Sequence, residues 1–321
     1  MQNPLSLSFF GMSSRPPSTD AARQYVTSYI LHPYALALLR SIMSLYCFST
    51  IIIGYSWLAH DSAPNTLKDI HIPTYTLLLD VGFIGESFSF FTFLTWWSLA
   101  FYFGISAFHT FDYARSLRRG GKPDELLQRS FSYHWSFELA YSLWHTTVTT
   151  YPFLVSIVFW AMMYGSPWPT SKFAQWINIS VHGLNSLFTI FEVVFSAARP
   201  PAFLGHLLVV MLVLSMYLGL AYLSKATADF YPYAWMDPQF GWQGIVAHVF
   251  GYAGGMIGIY SVVWGVKWIT SRIAEGPRTN SDSALTEDDE KTIWSKPDSS
   301  CSTHNDSKEW KEPVVIVVEE L

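Results

Sequence analysis

Apolar positions along this chain gather into six long runs separated by short polar breaks. A helix needs about 20 mainly apolar residues to cross the hydrocarbon core of a bilayer. The runs predict spans at residues 34–58, 88–109, 137–164, 176–197, 204–223 and 245–269. The breaks carry helix-ending chemistry: "HDSAPN", "RRGGKPDE", "GSPWPTSK", "ARPP" and "FYPYAWMDPQFGW". The run "TYTLLLDVGFIG" is too short to span and is expected to lie at the interface or re-enter. No internal repeat is evident. The fold class expected is all-α, a polytopic membrane protein built as a six-helix transmembrane bundle. Residues 1–33 form a polar N-terminal segment, 34–271 the spanning domain, and 272–321 an acidic cytoplasmic tail.

Composition strengthens the membrane reading. The chain is 50% hydrophobic and 13% charged, where a soluble domain carries about 25% charged residues. The net charge of −5 is unevenly placed. Residues 281–321 hold 11 Asp/Glu against 4 Lys, a net of −7, which leaves the rest near +2. That tail lacks an apolar period until "VVIVV" and is expected to be disordered. Near the span ends, the side holding both termini carries 11 basic residues and the other side 3. Basic loops stay in the cytoplasm, so both termini are expected there. Cys47 and Cys301 imply no disulfide framework. The N-terminus lacks the charged start of a signal peptide. In "GYAGGMIGIY", Gly251 and Gly255, like Gly254 and Gly258, share a helix face, which predicts close helix packing within the monomer, with a dimer face as the alternative.

Ionisable groups within spans cost a few kcal/mol and ask for a partner or a purpose. With directions assigned, Arg40 and Glu192 fall at similar depth near the cytoplasmic boundary and are expected to form a structural charge pair. Glu138, His145 and His206 are candidates for the same neighbourhood. Thr92, Thr95, Asn178, His182 and His248 fall near the opposite, outer ends. A Thr in a membrane helix ordinarily bonds its own helix carbonyls, and a lone His packs. Together at one depth they can do more. A neutral imidazole can take the proton of a hydroxyl nucleophile, and an amide can orient that imidazole or donate to an oxyanion. Asn185, three residues after His182, can border the same site.

Other chemistries lack their motifs. There is no HExxH or paired CxxC, no GxSxG, no GxGxxG and no phosphate-binding GxxxxGK[ST]. No metal, no cofactor and no nucleic-acid partner is expected. The oligomeric state stays open.

Three motifs carry a family resemblance. They are "FLTWWSLAFYFG" at residues 93–104, the spacing of Trp176, Asn178, His182 and Glu192, and "FYPYAWMD" at residues 230–237. In these the chain resembles the androgen-induced-gene family of multipass membrane proteins, which includes the androgen-dependent tissue-factor-pathway-inhibitor-regulating proteins. The resemblance spans residues 35–269. It implies an intramembrane threonine–histidine hydrolase acting on fatty acid esters of hydroxy fatty acids or similar lipid esters. The family's histidine falls on His182. Its threonine falls on Thr95 by the local Phe-Leu-Thr triplet and on Thr92 by the distance to Gly104; the triplet is preferred. Asn178, Asn185, His248 and Tyr231 are then expected to bind substrate. A more distant resemblance is to the rolling-stone-like proteins, which are associated with membrane fusion. It keeps open a non-enzymatic alternative: a fusion factor, receptor or accessory scaffold.

Overall fold

The computed structural model describes residues 7–11, 19–60, 71–72, 75–76, 81–120, 135–164, 169 and 171–275. Six helices are long and apolar enough to span a membrane: Pro33–His60, Phe91–Arg118, Ser136–Met163, Lys172–Phe195, Phe203–Ala228 and Trp242–Ala274. They define an all-α, multi-pass membrane protein. A two-residue antiparallel pairing, His71–Ile72 with Tyr75–Thr76, is the one regular element outside the helices among the described residues. The tail beyond residue 275, including Cys301, lies outside the described residues, as do residues 74 and 77–80 of the short apolar run, whose end forms the short helix Val81–Glu86.

Several helices extend past the runs that announced them. The second span continues to Arg118, through Asp112 and Arg115. Once a helix is started its backbone bonding continues into polar sequence, and only the apolar part carries a hydropathy signal. Local chemistry marks the ends. Pro33 opens the first span, where a missing N–H costs nothing. The Ser171 hydroxyl accepts from the Ala174 N–H at the start of the fourth span. Asp229 closes the fifth in a left-handed conformation, φ 58°.

The first and second spans pack along much of their length, and the second also meets the third and fourth. The main core lies here, around Trp96, Leu99, Tyr102 and Phe103, with Cys47 and Ile51 from the first span. The fifth and sixth spans are peripheral. They close a second core of Tyr151, Leu154, Val210, Met256 and Tyr260.

Two spans are not regular. Pro152 breaks the third, because it cannot donate to the Val148 carbonyl four residues earlier. The Thr189 hydroxyl from the fourth span occupies that carbonyl instead, at 3.1 Å. The third span then ends in a wide π-helical turn, Phe159–Met163, and the fourth contains another, Ser180–Leu184. Such turns widen a helix by one residue, and they recur at functional sites.

The polar N-terminal segment is partly built into the bundle. Helix Thr19–Val26 buries Ala22, Tyr25 and Val26. The turn Leu7–Phe10 lies over Gly205, where an added Cβ would come within 2.5 Å of the Phe9 carbonyl. The glycines of the sixth span behave otherwise. A Cβ at Gly251, Gly254, Gly255 or Gly258 would meet no atom within 4 Å. The close packing expected there inside the monomer is absent, because this helix face points away from its neighbours.

Candidate active site

The fourth span's wide turn carries His182, and the third span's carries Phe159. The two rings lie flat on each other, with centroids 3.6 Å apart and planes 6° apart. His182 Nε2 faces the second span, whose first turn presents Thr92. The Thr92 hydroxyl is 3.4 Å from His182 Nε2. His182 Nδ1 is buried and faces the Asn178 carbonyl without closing a well-formed hydrogen bond. The backbone of the wide turn is held from the third span, where the Ser156 hydroxyl and the Trp160 indole N–H both reach the His182 carbonyl. Ser156 Oγ also lies 2.9 Å from Asn185 Oδ1 and 2.6 Å from Ser186 Oγ.

Thr95, the residue preferred from the local triplet, is placed differently. It is buried, and its hydroxyl donates to the Thr92 carbonyl in its own helix at 2.8 Å. Its side chain borders a groove between the second, third and fifth spans rather than the imidazole. The geometry therefore favours Thr92, the alternative read from the distance to Gly104. Residues three apart lie only about 60° apart on a helix, so both threonines share a face and spacing alone does not choose between them.

A cavity of about 130 Å³ opens beside Thr92. Its walls are apolar side chains of the second, third, fifth and sixth spans and of the loop at 229–241. Phe159 forms part of the wall, so the stacked ring joins the imidazole to the chamber. Polar groups at the wall include Thr92, Ser215, Tyr217 and Tyr233. An apolar chamber with a few convergent polar groups is the usual form of a small-molecule site.

The remaining candidates divide. The Asn178 amide donates to the Ala174 carbonyl at 2.8 Å and belongs to its own helix. Asn185 is fully buried; its Oδ1 accepts from the Ser186 N–H at 2.6 Å, and its Nδ2 has no partner. His248 stacks on Trp235 with planes 10° apart and supports the chamber wall from behind. Tyr231 turns away, packing edge-on to Tyr222 and beneath the Lys225 ammonium. Two residues later, Tyr233 lines the chamber with Thr92, where Tyr231 was expected to bind substrate. The "FYPY" motif pointed to this loop, but the sequence could not say which tyrosine faces inward.

At the other end of the bundle, Arg40 and Glu192 form a two-point contact: Nε donates to Oε2 at 3.0 Å and Nη2 to Oε1 at 2.5 Å. Arg40 Nη1 also donates to the Tyr25 carbonyl and the Thr110 hydroxyl, both at 2.8 Å. Both side chains are withdrawn from solvent. The Tyr102 hydroxyl donates to Glu192 at 2.8 Å and lies 2.7 Å from His145 Nδ1. Lys267 reaches the other nitrogen of His145 at 2.7 Å. The donation from Tyr102 to the carboxylate sets one direction for this chain: Nδ1–H of His145 donates to the tyrosine, and the Lys267 amine donates to Nε2. Lys267, which the sequence presents as a basic residue flanking a span, is 2% exposed and ties the sixth span to the third. His206 is nearby in the same layer, bonded to Thr146 at 2.8 Å, whereas Glu138 is no direct member of the chain.

Among the described residues no group of three or more metal-ligating side chains comes together. Set against family models, curated proteins and solved structures, the chain has no match.

Proposed function

We propose that this protein is an intramembrane hydrolase of lipid esters, with Thr92 as nucleophile and His182 as base, and that both termini face the cytoplasm. One observation carries the reading: the Thr92 hydroxyl lies 3.4 Å from His182 Nε2 at the wall of an apolar chamber. Contacts of this kind are commonly long before substrate is bound and shorten in the reactive complex. The resemblance to the androgen-induced-gene family supports the same pair of residue types. The excess of basic residues at one end supports the orientation.

The chemistry follows from the pair. As Thr92 Oγ1 bonds to the ester carbonyl carbon, its proton passes to His182 Nε2 and the carbonyl electron pair moves onto oxygen. Collapse of the tetrahedral intermediate breaks the C–O bond to the alcohol, which leaves with the proton from His182. Water then attacks the acyl carbon of the Thr92 ester, giving a proton to His182. The second collapse releases the carboxylic acid, and His182 returns the proton to Thr92. The imidazole must be neutral to start each half-reaction. Phe159 and the Ser156 contact hold it in place, and the apolar chamber accepts hydrocarbon while limiting water.

Release of free fatty acid from a fatty acid ester of a hydroxy fatty acid, by purified full-length protein in detergent, tests the proposal. Hydrolysis that falls by roughly 10³ or more in Thr92→Ala and in His182→Ala supports it. Wild-type protein that releases no fatty acid, or variants as active as wild type, would favour a scaffold or fusion role.

A further inference from the structure

The geometry around Thr92 leaves one donor unused. Tyr233 lines the same chamber as Thr92, Tyr217 and Phe91. Among the described residues it closes a full hydrogen bond with none of them. The other groups nearby are committed. Tyr217 donates to the Ser89 carbonyl at 3.0 Å and accepts from the Phe91 N–H at 3.1 Å. Thr95 is committed to the Thr92 carbonyl.

The Tyr233 ring is fixed on two sides. It meets Phe90 edge-on at 6.0 Å and stacks with Trp235, planes 12° apart. Its carbonyl accepts from the Met236 N–H at 3.0 Å. A donor held in place but not satisfied is what stabilisation of a developing oxyanion requires, because no bond must be broken when the charge appears. Withdrawal from water pushes the phenol above its ordinary pKa, which keeps the hydroxyl protonated.

We propose, resting on the hydrolase reading above, that Tyr233 is a catalytic residue that binds the oxyanion: its O–H, at the chamber wall it shares with Thr92, donates to the substrate carbonyl oxygen as Thr92 attacks. No proton is transferred in this role. The phenol keeps its hydrogen, the carbonyl oxygen gains an electron pair, and the hydrogen bond shortens and strengthens. The second span begins at Phe91. In its first turn the Phe91 N–H is given to Tyr217 and the Phe93 and Leu94 N–H groups to the Phe90 carbonyl, which leaves the Thr92 N–H as a helix-end donor.

The test uses full-length protein in detergent, a long-chain alkyl fluorophosphonate and a lipid ester. The phosphonyl oxygen of the probe occupies the position of the oxyanion. Tyr233→Phe keeps the ring and its packing and removes only the donor. It is expected to slow labelling of Thr92 and to lower kcat by about 10²–10³, the usual effect of losing one such donor, with KM and thermal stability little changed. A Tyr233→Phe protein that labels and turns over at the wild-type rate overturns the assignment while leaving the hydrolase intact. Wild-type protein that neither labels nor hydrolyses overturns both. Site-specific 3-fluorotyrosine at 233 gives a stronger donor of nearly the same shape and covers the case in which Tyr233→Phe unfolds. It should raise kcat at unchanged KM, and an unchanged kcat counts against the proposal.

Discussion

Phe159 lies flat against His182, at 3.6 Å between ring centroids, and each residue sits in a wide turn of its own span. The stack fixes the plane of the imidazole, and so the direction of Nε2 toward Thr92. Phe159→Leu keeps an apolar wall but releases the ring. Misplacing a reacting group by about 1 Å can cost about 10²-fold. The expected result is a fall in kcat of about 10- to 100-fold with little change in unfolding temperature. Unchanged kcat would show that the stack packs without orienting.

The Arg40–Glu192 contact gives a stability prediction. Removing one member of a buried pair leaves a charge uncompensated and costs about 3–5 kcal/mol, whereas replacing both with apolar groups can be close to neutral. Arg40→Met and Glu192→Leu should each lower the thermal unfolding midpoint in detergent strongly, and the double variant should recover much of the loss. Additive losses would mean that the two charges act separately. The Tyr25 and Thr110 contacts of Arg40 and the Tyr102 contact of Glu192 set how far recovery is incomplete.

Burial of Lys267 is testable by chemistry. Its ammonium is engaged with His145 and Thr149 and is 2% exposed. A water-soluble amine-acylating reagent should modify Lys225, which is 36% exposed, and spare Lys267 until the protein is unfolded. Peptide mapping by mass spectrometry reads both sites. Equal modification of the two in the folded protein would place Lys267 at the surface.

The six spans were legible because lipid imposes one simple pattern, a long apolar run between polar breaks. Arg40 and Glu192 could be matched because charges in apolar runs are rare and depth follows from span direction. The break at Pro152 was written in the sequence but masked by the apolar residues on both sides. The wide turns were not visible, because they arise where side chains of two spans meet, as Phe159 and His182 do. The same limit explains Lys267. Its place at the end of the last apolar run reads as a flanking cation, and only its partners on the third span show that it points inward. Thr92 and Thr95, like Tyr231 and Tyr233, differ by rotation about the chain axis, which spacing alone does not resolve.

The outward face of the sixth span offers a prediction with a small expected effect. A Cβ at Gly255 would meet nothing within 4 Å. Gly255→Ala should therefore leave activity unchanged and hold or slightly raise the unfolding temperature, since Gly inside a helix costs about 1 kcal/mol relative to Ala. A large loss of folded protein would mean that this face is packed against another chain.

The central claim is that Thr92 and His182 act as one unit. Its most direct measurement is mass-spectrometric location of the adduct after wild-type protein is treated with a long-chain alkyl fluorophosphonate. Phosphonylation is expected at Thr92, slowed by roughly 10³ or more in His182→Ala, with Thr95 unmodified. No adduct on wild-type protein, an adduct at Thr95, or labelling of Thr92 at the same rate without His182 would contradict it.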